Sequence, residues 1–200
     1  MVTRDWLLPP RSSNSGIHAP LPFGWLWRPL KNPGTLWQRW SVAEPLAVVL
    51  DGNVLDVLLA DPSFLASLRA AQVSGRLVIE VPQVVRREAG LGEGAADRLR
   101  LASSLSPIAR PDPVFVLDVT PLDTAPLASV TQAAEYESLQ RGRVRDSEDA
   151  LLAMLARQHG AVLVTDDGSG KKSGLLQRAR ANGVEAWAVD ELRAWLLEDA

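Results

Sequence analysis

Four carboxylates, Asp51, Glu88, Asp149 and Asp167, are the side chains whose type and setting best suit chemistry. Asp51 directly follows the apolar run Leu46-Ala47-Val48-Val49-Leu50. Asp167 follows Ala161-Val162-Leu163-Val164-Thr165, with Asp166 between. Glu88 lies three and four residues after Val85 and Val84. Asp149 lies three, four and seven residues before Leu152, Ala153 and Ala156. Those spacings share a helix face, so both acids are expected on the apolar side of their helices. Two like charges about 4 Å apart repel by about 4 kcal/mol at an effective dielectric of about 20. A divalent cation reverses that sign, holds a phosphate oxygen and acidifies a bound water.

Each acid also has a plainer reading. Asp51 can cap the helix after it, with Asn53 assisting. Asp166-Asp167-Gly168 can be a polar turn. Asp146 and Glu148 suit the positive end of a helix, and Asp146 rivals Asp149 as the third acid. Asp166 likewise rivals Asp167.

The rest of the composition narrows the chemistry. The chain has no cysteine, which excludes disulfides, thiolate metal sites and a cysteine nucleophile. Only His18 and His159 are present, so a metal must be held by oxygen, as Mg²⁺ or Mn²⁺ is. Residues 1–44 carry five basic and two acidic side chains, and residues 45–200 carry sixteen and twenty-two. Polyanion binding by the main region therefore needs local basic patches rather than a global field. No apolar run reaches membrane-span length and no secretory leader is evident. A cytoplasmic protein without a membrane partner is the default expectation.

The elements that must position the acids begin at residue 45. Residues 1–44 hold five tryptophans and six prolines with no regular period, and read as an irregular extension. Beyond them, strands are expected at 46–50, 77–81, 114–119, 161–165 and 184–189. Helices are expected at 54–60, 63–73, 82–105 with a break at 90–94, 126–141, 147–159, 173–182 and 190–198. The alternation predicts an α/β domain over 45–200, three layers deep (α/β/α), around a mostly parallel five-stranded sheet. Active sites in such sheets form beyond the carboxyl ends of strands, where strand order reverses.

These segments resemble the PIN-domain nucleases. The first motif is Val48-Val49-Leu50-Asp51-Gly52-Asn53-Val54-Leu55. The second is Val81-Pro82-Gln83-Val84-Val85-Arg86-Arg87-Glu88. The third is Asp149-Ala150-Leu151-Leu152-Ala153-Met154-Leu155-Ala156, and the fourth is Gly160-Ala161-Val162-Leu163-Val164-Thr165-Asp166-Asp167. The resemblance implies metal-dependent hydrolysis of RNA, with Asp51, Glu88, Asp149 and Asp167 as a catalytic and metal-binding quartet around Mg²⁺ or Mn²⁺. Asn53 and Thr165 are then supporting polar residues. Compact bacterial members act as toxins paired with an antitoxin, so the expected partners are RNA, an antitoxin protein and a second copy of the chain. The chain departs from the pattern at Gly52, where threonine or serine is usual, and in the insertion Ser169-Gly170-Lys171-Lys172-Ser173.

Cations suited to RNA phosphates are Arg141, Arg143, Arg145, Lys171 and Lys172, which flank the third and fourth motifs; Arg86 and Arg87 are further candidates. Two other readings use the same residues. One is a PIN-like RNA-binding or regulatory module with little catalysis. The other is a phosphohydrolase with Asp51 as covalent nucleophile, which wants a second aspartate where Asn53 stands.

Overall fold

The computed structural model describes residues 44–117, 119–121, 125–140, 146–168 and 174–198. The elements run β1 (Leu46–Leu50), α1 (Gly52–Ala60), α2 (Pro62–Val73), β2 (Leu77–Glu80), α3 (Gln83–Ala89), α4 (Ala95–Leu105), α5 (Val130–Gln140), α6 (Ser147–His159), β3 (Val162–Thr165), α7 (Leu175–Ala181), β4 (Ala186–Ala188) and α8 (Val189–Glu198). The strands make one parallel sheet in the order β2-β1-β3-β4, flanked by helices. Among the described residues, no helix is long and apolar enough to cross a membrane.

Strand composition follows from that arrangement. Val48, Val49 and Leu50 in β1, and all of β3, are buried, as continuous apolar runs in a covered parallel sheet must be. Helix α6 packs on β1 and β3 and buries every residue from Ala150 to Ala156. Helix α2 is started by Asp61, whose carboxylate accepts from the Ser63 and Phe64 N–H groups, with Pro62 at its first position. The chain passes from β1 to β2 on one side and later returns to β3 on the other. The reversal falls between β1 and β3, whose carboxyl ends carry Asp51 and Thr165.

The sheet differs from the sequence expectation at one strand. Among the described residues it has four strands, because the stretch expected at 114–119 joins no ladder. Pro111 and Pro113 precede it and offer no N–H donors. The Val119 and Thr120 N–H groups turn back onto the Val116 carbonyl, and the Phe115 N–H goes to Pro126. These N–H groups are therefore satisfied by loop and turn partners rather than by a neighbouring strand. The break expected near 90–94 separates α3 from α4. Residues 1–43, together with Arg141, Arg143, Arg145, Lys171 and Lys172, lie outside the described residues.

Candidate active site

The site begins where β1 and β3 end side by side. The Asp51 N–H still bonds the Val164 carbonyl at 3.0 Å, so Asp51 is fixed by the sheet itself. Its side chain is buried, with 6% residue exposure, and accepts three hydrogen bonds. Oδ1 takes the Gly52 N–H at 2.6 Å. Oδ2 takes the Thr165 hydroxyl at 2.6 Å and the Asn53 amide at 2.9 Å. An ordinary helix cap would spend this carboxylate on N–H groups two or three residues on. Asp51 is the N-cap of α1, but Oδ1 takes the N–H of the first helical residue, Gly52, while Oδ2 faces β3.

Thr165 is fully buried and ties the two strand ends together. Besides donating to Asp51, its hydroxyl accepts the Asp167 N–H at 2.9 Å and the Asn53 amide at 3.3 Å. The Asn53 carbonyl oxygen receives the Asp166 N–H at 3.0 Å. Asp167 Oδ2 accepts the Leu175 N–H at 2.9 Å, which seats the fourth acid on the first turn of α7. Gly168 follows with φ of 103°, a conformation that glycine alone adopts readily. Of the two rivals at this turn, Asp166 is exposed, while Asp167 is partly buried and electrostatically coupled to Asp51 and Asp149.

Glu88 reaches the cluster from α3. The helix buries Val84, Val85 and Ala89, and leaves Glu88 itself exposed as a residue. Its carboxylate nonetheless bends over Gly52: a β-carbon on Gly52 would lie 2.9 Å from Glu88 Oε2. Gly52 thus leaves the space that the Glu88 carboxylate uses. A cavity of about 270 Å³ opens beside it, lined by Gly52, Asn53, Asp56, Glu88, Ala89 and Arg98.

Asp149 opens α6 and is paired with Arg178 of α7. The same guanidinium reaches Asp146 at 3.3 Å, and it is buried between the two. Sequence reasoning missed Arg178. The available signal was its position three residues after Leu175, on the apolar face of a helix that starts just beyond the fourth acid.

Electrostatics mark these acids as one group. The Asp51 carboxyl is pushed above its ordinary value, first by burial, against the pull of its three hydrogen bonds, and further by Asp167. Asp149 is pushed up to about 7 by burial and then by Asp51, with Arg178 opposing and Asp167 and Asp146 adding. Glu88 is raised by burial of its carboxylate end and then by Asp51 and Glu148. Asp51 therefore feels, or is felt by, each of the other three. Raised carboxylates gathered at a topological switch are a recurrent mark of functional sites.

The donor set is all carboxylate oxygen, with polar support from Asn53 and Thr165. That chemistry suits a hard divalent cation, and the opening over Gly52 gives one of the donors room to turn. Among the described residues, no group of three or more His, Cys, Asp or Glu side chains is already arranged to hold a metal ion. The Asp149 carboxylate faces Arg178, and the Asp167 carboxylate faces the α7 backbone. Comparison of the chain with protein-family models and with curated proteins finds no match.

Proposed function

We propose that the chain is a PIN-like, three-layer α/β/α nuclease that hydrolyses RNA phosphodiester bonds with Mg²⁺ or Mn²⁺. The observation that carries this reading is the meeting, at the reversal of strand order, of Asp51 and Asp167 through the Thr165 hydroxyl and of the Glu88 carboxylate over Gly52. Four acids kept together by strand ends and helix starts repel one another, and a cation stabilises them as carboxylates. A bound divalent ion supplies the charge that holds a phosphate oxygen and acidifies the attacking water.

In this reading the chain's own residues divide the labour. Asp51 is the fixed ligand, because the sheet holds its backbone and Thr165 and Asn53 hold its carboxylate. Glu88 is the adjustable ligand, on a helix across the cavity. Asp167 and Asp149 complete the set from the β3–α7 turn and the start of α6. RNA is the proposed substrate on the strength of the resemblance, and Arg141, Arg143, Arg145, Lys171 and Lys172 are the proposed phosphate contacts. In the toxin form of the proposal, an antitoxin protein is the partner.

The test is cleavage of labelled single-stranded RNA by the full chain in Mn²⁺, abolished by chelator. A second reading, a PIN-like binding module without turnover, draws on the pairing of Asp149 with Arg178. It predicts RNA binding that survives loss of all four acids, with no cleavage in any metal.

A further inference from the structure

Helix α3 carries Glu88 but is seven residues long, too short to hold its shape alone. Its apolar side is fixed by the burial of Val84, Val85 and Ala89. Its polar side is fixed by arginines. Arg86 donates to the Val81 and Ser106 carbonyls, and Arg87 pairs with the buried Asp112 at 2.8 Å. The far end is held by Arg98 of α4. Its Nε donates to the Ala89 carbonyl at 3.2 Å, and its Nη2 to the Leu91 carbonyl at 2.5 Å. The last carbonyls of a helix have no N–H partners within it, and this fork supplies two donors at that point. Arg98 Nη1 also reaches Asp56 of α1 at 3.3 Å. The Arg98 side chain is 16% exposed and that of Asp56 62%, so the ion pair is a weak surface one and the fork on the backbone is the stronger tie. One guanidinium therefore joins the end of α3 to α4 and α1. Helix α1 begins at Gly52, and the Glu88 carboxylate lies over Gly52. Of these three arginines, Arg98 is the one that lines the cavity shared by Gly52 and Glu88.

We propose that Arg98 is the positioning residue of Glu88: its fork fixes the end of α3 against α1 and so keeps the Glu88 carboxylate over Gly52. This rests on the nuclease reading only for what Glu88 does there; its placement is a property of the fold. Arg98 is also near enough to act on Glu88 as a charge, opposing the acids around it. Lysine separates the two effects. It keeps the charge, but an ammonium on a flexible stem does not reproduce a planar fork on two carbonyls.

The experiment follows the nuclear Overhauser contact between the Gly52 α-protons and the Glu88 γ-protons in the full, isotope-labelled chain. The contact is expected in the wild type and is expected to be lost in both Arg98→Gln and Arg98→Lys. Its absence from the wild type, or its survival in Arg98→Gln, would overturn the proposal. Survival in Arg98→Lys would overturn it in favour of charge alone. If Arg98→Gln does not fold, the Arg98→Lys spectrum decides. RNA cleavage in Mn²⁺ gives the second readout. Arg98→Gln is expected to lower it about tenfold in the wild-type chain. In a Glu88→Gln chain the same change is expected to add no further loss, because the group it positions is already gone. Equal losses in both chains would make Arg98 a general structural support and overturn the proposal. A wild type that cleaves no RNA would defeat the nuclease reading, and the Gly52–Glu88 contact would then decide the placement alone.

Discussion

The Glu88 carboxylate occupies the space that a side chain on Gly52 would need: a β-carbon there would come within 2.9 Å of Oε2. The obstructed atom is the far end of a flexible side chain, so the chain tolerates the change by moving Glu88. Gly52→Ala is expected to keep or slightly raise stability, by up to about 1 kcal/mol, since alanine favours a helix over glycine. The same change is expected to lower RNA cleavage about tenfold, because a donor is displaced from the cluster. Thermal melts and initial rates on one protein preparation separate the two effects. Equal loss of fold and activity would count against this role for Gly52.

Thr165 links two acids that are 116 residues apart in sequence, Asp51 and Asp167. Thr165→Val keeps the shape and removes the hydroxyl. The Asp167 N–H and the Asn53 amide then lose an acceptor, and Asp51 loses a donor. We expect a loss of about 1–3 kcal/mol in chemical denaturation and about 10–100-fold in cleavage. Thr165→Ser retains the hydroxyl and is expected to recover most of both. A Thr165→Val protein as active as the wild type would show that the bridge does not position the acids.

How much of this was legible beforehand depended on the range of each cause. Asp51 and Asp167 were readable because continuous aliphatic runs identify buried parallel strands, and a strand's end is fixed by where the run stops. The strand expected at 114–119 is also rich in apolar residues, but its Val119 N–H closes onto Val116 and its Phe115 N–H goes to Pro126, partners that its apolar content does not reveal. Glu88 was expected on the apolar side of α3; the residue is exposed, and its carboxylate lies over residue 52, in space that a side chain there would contest. That relationship spans two elements and leaves no mark in either alone. Arg178 left a mark, a lone cation on an apolar face, but its partners lie on α6 and at its start.

Asp146 and Asp149 share Arg178 but differ in what else they face. Asp149 is coupled to Asp51 and Asp167, and Asp146 acts on it as a neighbour. Asp149→Asn is therefore expected to reduce cleavage about 100-fold or more, while Asp146→Asn reduces it by about tenfold at most. Rates at saturating RNA distinguish them. The reverse order would make Asp146 the third acid.

The raised carboxyl of Asp149 sets a pH dependence in the metal-free protein. Its folded value is about 7 against an ordinary 3.8, so the folded chain binds this proton more tightly than the unfolded chain. Stability from this group is complete below about 4 and is lost as pH rises through about 7. Asp51 and Glu88 are shifted in the same direction. Denaturation is expected to show greater stability at pH 5 than at pH 8 without metal, with a smaller difference in Asp149→Asn. Because the same protons must leave for a cation to bind, Mn²⁺ affinity is expected to rise across that interval. A pH-independent Mn²⁺ affinity would separate the metal from these acids.

In the proposed nuclease, Asp51 anchors the metal-dependent hydrolytic site. The most direct measurement compares cleavage of labelled single-stranded RNA by the wild type and by Asp51→Asn in Mn²⁺, each repeated with excess chelator. Cleavage is expected from the wild type in Mn²⁺ only, with a loss of about 100-fold or more in Asp51→Asn. Cleavage by Asp51→Asn at the wild-type rate, or wild-type cleavage undiminished by chelator, would contradict it.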